Sequence, residues 1–292
     1  MTARLVLITG HTFGLRAYEG VFASSAYLDG RIEVPLMVGL PEERAAGTVG
    51  YAPVAGLARE QGAQFAAAKD GTLRELAPAI RACEPDYLLV VGWSRLVHPE
   101  VVDIAPYGGI GMHPTKLPLG RGQAPIPWTV IKGLRSTALS VFFLEPAADT
   151  GPVIARYDME VRARETASSL FHRMAQTHFT AGLELAPALA ERRVRGDVQD
   201  PAAATRWSRR RPADGRLDHA MTAEEADALV RALLGPYPRA FVSVGDTDYP
   251  VRAARLLPGP AGPADARRAE VTATRVFFGC RSGVLELERD LP

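Results

Sequence analysis

Residues 87–91, Tyr-Leu-Leu-Val-Val, are almost uniformly apolar, with no alternation between polar and apolar positions. A strand that is apolar on both faces is typical of the centre of a parallel sheet that helices cover on both sides. Apolar runs at residues 5–9 and 32–38 precede helical patterns in the same half of the chain. This rhythm predicts βαβ units and an α/β fold with a doubly wound, mainly parallel sheet. The helices predicted in this half cover residues 15–23, 54–61 and 73–82.

The remainder of the chain predicts a second, smaller domain. Strands at 137–144 and 153–161 and a long helix over 166–192 complete the first domain. A stretch rich in Pro, Gly, Asp and Ala follows without any period, which is typical of a linker. One helix and four short apolar runs come next, separated by glycine-containing turns, and predict a β-barrel-like (OB-like) domain. These last elements cover residues 223–234, 240–244, 251–256, 276–278 and 284–287. The predicted boundaries are 1–195 for the α/β domain, 196–205 for the linker and 206–292 for the C-terminal domain.

The composition of the 292 residues is that of a soluble globular protein. A net charge of +1 creates no strong field towards nucleic acid or an anionic membrane. Hydrophobic residues at 47% and charged residues at 23% exclude wholesale disorder. The apolar runs are far shorter than the roughly 20 residues that a bilayer span needs, and the N-terminus is interpreted as a first strand. We therefore expect a cytoplasmic protein in which Cys83 and Cys280 are small buried residues.

Several common kinds of site are excluded. Residues 9–14, Thr-Gly-His-Thr-Phe-Gly, partly match the dinucleotide-binding turn of short-chain dehydrogenases, but Arg16 occupies the third glycine position. That chemistry also needs a Tyr four residues before a Lys, which this sequence lacks. Zinc motifs and the Gly-x-Ser-x-Gly elbow are absent too, so neither a metal centre nor a serine hydrolase is expected. The basic cluster at Arg206 and residues 209–211 is interpreted as a solvated run, with phosphate binding as the alternative.

The most informative stretch is residues 108–126, Gly-Gly-Ile-Gly-Met-His-Pro-Thr-Lys-Leu-Pro-Leu-Gly-Arg-Gly-Gln-Ala-Pro-Ile. It comes where a fifth strand should end, at the carboxyl edge of the sheet, and open α/β sheets bind their ligands at this edge. Its histidine, His113, stands among glycines and prolines that give the loop a defined shape. A second loop, at residues 145–151, carries Asp149. A histidine with an aspartate forms a general base and the group that orients it.

These residues resemble a known family. Residues 110–126, followed by Trp128, are similar to the Asn-x-His-Pro-Ser-Leu-Leu-Pro…Arg-Gly-x-x-Pro signature of folate-dependent formyltransferases, which include methionyl-tRNA formyltransferase and sugar N-formyltransferases. Residues 149–151, Asp-Thr-Gly, resemble the Asp-x-Gly loop of that family. Residues 214–218, Asp-Gly-Arg-Leu-Asp, and 236–241, Pro-Tyr-Pro-Arg-Ala-Phe, resemble motifs of its C-terminal domain. The resemblance therefore covers nearly the whole chain.

The resemblance implies an activity and a set of site residues. It implies transfer of a formyl group from 10-formyltetrahydrofolate to a primary amine, without a metal. His113 would manage the amine proton and Asp149 would hold and polarise His113. The implied folate-binding residues are Arg95, Leu96, Val97, Gln123, Glu145, Pro146, Ala147 and Ala148. The implied acceptor-binding residues are His11, Thr12, Phe13, Thr115 and Lys116.

One departure from the family pattern concerns the chemistry directly. Gly111 occupies the position of the family's catalytic Asn, which donates a hydrogen bond to the oxygen that becomes negatively charged. Loss of one such donor typically slows a reaction about 100- to 1000-fold. Three interpretations follow: a slower formyltransferase in which water or a backbone N–H donates instead; transfer of a formimidoyl, carbamoyl or other acyl group, with Lys116 or protonated His113 carrying the charge; or a binding protein without fast chemistry.

The acceptor is expected to be small. A tRNA substrate favours a more basic chain than one of net charge +1, although the basic cluster keeps tRNA as an alternative. An amino sugar or a specialised-metabolite amine fits the sequence better.

Overall fold

The computed structural model describes residues 2–69, 71–257 and 268–291. The chain folds into two compact units. The first consists of Met1–Gly122, Thr137–Met159 and His172–Arg206. The second consists of Gln123–Ser136, Glu160–Phe171 and Trp207–Pro292.

The first unit is built on a seven-stranded sheet. The strands up to residue 207 are β1 (Ala3–Ile8), β2 (Ile32–Gly39), β3 (Gln64–Ala67), β4 (Tyr87–Val91), β5 (Gly109–His113), β6 (Arg121–Gly122), β7 (Ser136–Phe143), β8 (Val153–Glu160) and β9 (Arg206–Trp207). The sheet order is β3-β2-β1-β4-β5-β7-β8, and β6 pairs separately with β9. Pairing is parallel from β3 to β5, whereas β7 runs antiparallel to β5. This is the predicted doubly wound, mainly parallel α/β sheet.

Eight α-helices lie in the described part of the chain. They are α1 (Thr12–Phe22), α2 (Ser25–Leu28), α3 (Ala55–Glu60), α4 (Ala77–Ala82), α5 (Pro99–Val102), α6 (Pro125–Ile131), α7 (Ala167–Ala190) and α8 (Ala223–Ala232). Short 3-10 helices cover Glu42–Gly47, Arg74–Leu76, Pro201–Ala203 and Pro212–Gly215. Among the described residues, none of the helices combines the length and the hydropathy that a bilayer span requires.

The central strands are buried because helices cover both faces of the sheet. All five residues of β4 are buried, as its apolar run predicts. Tyr18 of α1 anchors this helix to the sheet, since its hydroxyl lies 2.6 Å from the Ile8 carbonyl and 2.8 Å from the Leu89 carbonyl. Ile8 is the last residue of β1 and α1 begins at Thr12, so α1 begins beside the edge at which a ligand is expected.

The second unit contains a five-stranded antiparallel sheet. Its strands are β10 (Ala240–Val244), β11 (Thr247–Leu257), β12 (Ala269–Val271), β13 (Arg275–Cys280) and β14 (Gly283–Arg289), in the order β10-β11-β14-β13-β12. Helix α8 begins with a capping box between Thr222 and Glu225, and its apolar face packs on the sheet. This antiparallel sheet is the predicted β-barrel-like fold of the C-terminal part of the chain, and the unit that contains it also includes Gln123–Ser136 and Glu160–Phe171. Cys83 and Cys280 are free and buried, as expected.

Candidate active site

His113 is the last residue of β5 and is buried at the carboxyl end of this strand. Its Nε2 lies 2.9 Å from the carbonyl oxygen of Gly120. A carbonyl oxygen can only accept a hydrogen bond, so Nε2 carries the proton of the neutral ring. The other nitrogen, Nδ1, therefore presents its lone pair, and Gly120 sets the tautomer.

Asp149 lies in the loop between β7 and β8, with a positive φ of 60°. Its Oδ2 accepts a hydrogen bond from the backbone N–H of Gly122 at 2.8 Å. Its Oδ1 lies 3.8 Å from Nδ1 of His113, which is too far for a direct hydrogen bond. The two residues that the sequence selects thus face each other across a short gap.

The gap between Nδ1 of His113 and Oδ1 of Asp149 is wide enough to hold one amine nitrogen that donates to both atoms. Two acceptors 3.8 Å apart allow one amine nitrogen to lie at about 2.9 Å from each of them. If the amine proton moves to Nδ1, both ring nitrogens of His113 carry protons. The Nε2 proton then has the Gly120 carbonyl as its acceptor, and the positive charge of the ring lies 3.8 Å from the Asp149 carboxylate, which stabilises it electrostatically. The arrangement can therefore bind an amine, take its proton and stabilise the charged ring that results.

Gln199 holds the two loops that form this gap. Its Nε2 donates to the carbonyls of Asp149 (3.0 Å) and Gly151 (2.7 Å), and its Oε1 accepts from the Arg121 guanidinium (2.7 Å). Thr205 supports the same region, because its Oγ1 accepts the Gly120 N–H at 2.8 Å. Both residues belong to the segment 196–205 that the sequence predicts as a linker. Sequence reasoning missed them because their partners lie 48 to 85 positions away.

A second group of rings lies at the start of α1. His11 caps this helix, since its Nδ1 accepts the Phe13 N–H at 3.0 Å, and burial lowers its pKa to about 4. The ring of Phe13 lies 4.6 Å from that of His11 and 4.4 Å from that of His178 on α7. His178 is fully buried, and burial lowers its pKa to about 3. His11 and Phe13 were predicted on the acceptor side, whereas His178 was missed, since nothing near it in the sequence marks it. Thr12, the third predicted residue, donates through its hydroxyl to the Gly50 carbonyl at 3.0 Å.

A cleft of about 500 Å³ lies on the first unit. Its lining combines apolar and proline side chains with two carboxylates. The lining residues are Val97, Pro99, Val102, Asp103, Ala105, Pro106, Gly108, Leu144, Glu145 and Pro146. Of the predicted folate-binding positions, Val97, Glu145 and Pro146 line this cleft. The other five, Arg95, Leu96, Gln123, Ala147 and Ala148, are not part of its lining.

No group of three or more His, Cys, Asp or Glu side chains in residues 2–69, 71–257 and 268–291 is placed to hold a metal ion.

Two family models match the chain. The model described as Formyl transferase matches residues 45–184, and the model described as Formyl transferase, C-terminal domain, matches residues 209–290. The chain belongs to the formyl transferase family. Methionyl-tRNA formyltransferase of Desulfotalea psychrophila is 32% identical over 189 residues, which cover 65% of this chain and 58% of that relative. The match thus spans little more than half of the relative's length.

Solved structures share the fold of this formyl transferase. An N-formyltransferase from Helicobacter canadensis, in complex with folinic acid and dTDP-3-aminofucose, is 12% identical with a TM-score of 0.70, and the match covers 99% of both chains. Methionyl-tRNA formyltransferase from Clostridium thermocellum is 17% identical with a TM-score of 0.62, covering 98% of this chain and 99% of that one. At these identities the likeness shows the fold alone.

In this formyl transferase the space beside Gly111 is filled. A Cβ atom at residue 111 would lie 2.9 Å from Cδ2 of Leu144 and 3.0 Å from the ring of Phe142. Gly109, on the same strand, is equally close to Leu144, at 2.8 Å. Leu144 therefore packs over both glycines, so apolar atoms fill the space beside residue 111, the position at which the sequence resemblance predicts a missing Asn.

The two predicted acceptor-binding positions after His113 differ in burial and in hydrogen bonding. Thr115 is buried, and its Oγ1 has no hydrogen-bond partner among the described residues. The ammonium of Lys116 pairs with the Asp158 carboxylate at 2.9 Å, and its side chain is nearly half exposed. Because Asp158 already compensates its charge, Lys116 is poorly suited to stabilise a developing negative charge.

The predicted basic cluster lies in part against an aromatic ring. The guanidinium of Arg210 lies 5.0 Å from the ring centre of Trp128 and donates to the Asp214 carbonyl. Desolvation lowers the pKa of this guanidinium. Arg210 thus makes its contacts within the second unit. Phosphate binding by the basic cluster stays a prediction.

Replacement of Gln199 by leucine is expected to destabilise the protein. Gln199 is buried, and its removal leaves the Asp149 and Gly151 carbonyls without their donor. The expected loss in unfolding free energy is about 1–3 kcal/mol, measured by urea denaturation. Val198→Ala is the matched control, since Val198 is 86% exposed and its truncation should change little. Equal stability of the two variants would show that Gln199 does not hold the Asp149 loop.

Proposed function

We propose that this protein transfers a formyl group from 10-formyltetrahydrofolate to a primary amine of a small molecule. The observation that carries the proposal is the 3.8 Å gap between Nδ1 of His113 and Oδ1 of Asp149. Leu144 connects this gap to the cleft, because it lines the cleft and also packs against Gly111, two residues before His113. The acceptor amine and the folate donor would therefore meet at the end of β5.

Asp149 and His113 have different roles in the proposed transfer. The Asp149 carboxylate attracts the amine and accepts one of its hydrogen bonds. Nδ1 of His113 takes the proton that the amine loses as its new C–N bond forms, and returns a proton to the leaving nitrogen. Gly120 keeps the ring in the tautomer that this step requires. Such acid–base catalysis typically contributes about 10²- to 10⁴-fold.

The cleft supports a folate donor. Its apolar walls suit the flat face of a pterin ring, while Asp103 and Glu145 offer acceptors for ring N–H groups. Two solved structures with the same fold contain 5-N-formyl-THF or folinic acid.

A small amine is the acceptor that we favour. A sugar 3N-formyl transferase has the same fold, and a second N-formyltransferase of this fold was solved in complex with dTDP-3-aminofucose. Net charge supports this choice too, since +1 provides little general attraction for a polyanion. A tRNA acceptor is the alternative, because the curated relative described above is a methionyl-tRNA formyltransferase.

Transfer of a different acyl group is the second candidate function. It is supported by the packing of Leu144 and Phe142 against Gly111, which leaves no side-chain donor at that position for a formyl oxygen. A direct comparison of 10-formyl- and 5-formimidoyltetrahydrofolate as donors separates the two candidates.

Filling the cleft is expected to abolish binding of the donor. The unaltered protein should bind folinic acid, a stable analogue of the donor, with micromolar affinity in isothermal titration calorimetry. Val97→Trp should weaken this binding by about tenfold or more, because the indole occupies the space of the ligand. Leu28→Trp is the matched control, since Leu28 is 72% exposed at the end of α2 and lies outside the cleft lining. An equal loss in both variants would place the ligand elsewhere, and no binding to the unaltered protein would point to a different donor.

A further inference from the structure

His178 of α7 is a buried histidine with one unsatisfied nitrogen. Its side chain is completely buried, and its Nε2 has no hydrogen-bond partner among the described residues. A buried polar atom without a partner destabilises the folded state, so native proteins rarely retain one without a reason. A phenylalanine would fill the same space without this penalty.

The position of the ring is fixed by close packing of α1 against α7. A Cβ at Gly182 would lie 1.9 Å from the Ala17 carbonyl oxygen, and one at Gly20 would lie 2.0 Å from the Phe179 carbonyl oxygen. The two backbones therefore touch at these glycines. His178 precedes Gly182 by about one helical turn, and its ring stacks on Phe13 at an angle of 13°. The imidazole is held in place and cannot turn away to find solvent.

The protonation of the ring defines the partner that Nε2 requires. Nδ1 lies 2.7 Å from the Met174 carbonyl, so Nδ1 carries the proton and Nε2 presents a lone pair. Burial lowers the pKa of this ring to about 3, which keeps it neutral at physiological pH. The missing partner must therefore be a hydrogen-bond donor.

The location of the ring suggests what that donor serves. A Cβ at Gly14, the residue after Phe13, would lie 2.6 Å from the Val91 carbonyl oxygen of β4, and Val91 pairs with Met112, the residue before His113. The start of α1, on which the ring stacks, therefore lies beside the strand ends that carry His113. Nε2 itself is sealed from bulk solvent, which favours a donor of the size of a water molecule.

We propose that His178 is a positioning residue of the active site: its Nε2 binds an internal water whose second hydrogen bonds to the His113–Asp149 pair. Such a water would hold the neutral His113 ring and its tautomer steady until the amine arrives. The effect on turnover rests on the proposed function, whereas the water itself does not.

The decisive variants are His178→Phe and His178→Gln. Phenylalanine keeps the ring stack on Phe13 but removes the acceptor, whereas glutamine places an amide oxygen near the position of Nε2. His172→Phe is the control, because His172 is an exposed residue of the same helix. Turnover is followed as tetrahydrofolate release from 10-formyltetrahydrofolate, with ammonium as the acceptor probe.

His178→Phe should retain its melting temperature, or raise it, yet lose about tenfold in kcat with KM for the donor unchanged. His178→Gln should recover part of the loss, and His172→Phe should match the unaltered protein. Unchanged kcat in His178→Phe would overturn the positioning role, since a merely structural histidine affects only stability.

Nitrogen-15 NMR of histidine-labelled protein tests the water without any substrate. The Nε2 signal of His178 is assigned by its absence from the spectrum of His178→Phe. It should have the chemical shift of a hydrogen-bonded lone pair and should receive magnetisation from water. A free lone pair without such transfer would overturn the proposal. If the unaltered protein releases no tetrahydrofolate, the proposed function fails, and these NMR signals alone decide whether His178 holds a water.

Discussion

Replacement of His113 by alanine is expected to reduce formyl transfer by about 10²- to 10⁴-fold, the usual contribution of a positioned acid–base group. The loss should appear in kcat, because His113 moves protons during the reaction and takes no part in binding the donor. Binding of folinic acid should stay within about twofold of the unaltered protein, since the cleft lining does not include His113. Steady-state kinetics with calorimetry on the same preparation measures both quantities.

Asp149→Asn is the complementary variant. Asparagine tolerates the left-handed backbone of residue 149 and can still accept the Gly122 N–H, so only the negative charge is removed. Turnover should fall because the protonated His113 ring loses its carboxylate. His172→Ala, on the exposed side of α7, should leave the rate unchanged. Full activity of His113→Ala would exclude the acid–base role, and an unaltered protein without turnover would favour a binding protein of the same fold.

Much of the fold can be predicted from hydrophobic patterns because the elements that carry the core are long and regular. The run at residues 87–91 forms β4 with the predicted bounds, and the long helical pattern from residue 166 corresponds to α7. The weak elements are different. β3 has only four residues, Gln-Phe-Ala-Ala, at the edge of the sheet, and none of them is fully buried. An exposed edge strand shows no clear alternation, so its sequence does not reveal it.

Some residues of the candidate site can likewise be predicted from the sequence, whereas others cannot. His113 and Asp149 are predicted because each stands in a stretch of distinctive composition, and in the structure they lie 3.8 Å apart. Gln199 and His178 lie in ordinary sequence surroundings, and they reach the site only through tertiary contacts. Residues 11–13 illustrate an intermediate case. The resemblance implies that they bind the acceptor, but the stacking of Phe13 on His178 of α7 depends on helix packing that no local pattern contains.

Asparagine at residue 111 would supply a hydrogen-bond donor for the oxygen that becomes negatively charged, but the packing around Gly111 opposes this substitution. Gly111→Asn alone is expected to destabilise the protein by about 1–3 kcal/mol, because the new side chain overlaps with Leu144 and Phe142. Thermal denaturation measures this loss. Formyl transfer should not rise in this variant, since the amide cannot take up its position against these apolar groups.

The double variant Gly111→Asn/Leu144→Val separates packing from chemistry. Valine lacks the Cδ atoms of Leu144 that lie against residue 111, so the amide gains room beside His113. If the chain is a formyl transferase slowed by the missing donor, kcat for formyl transfer should rise by as much as 100-fold over the unaltered protein. Leu144→Val alone is the control for any change in the shape of the cleft. A double variant that is stable but no faster would show that residue 111 is not where the negative charge develops, and a donor other than the formyl compound would then be the better explanation for Gly111.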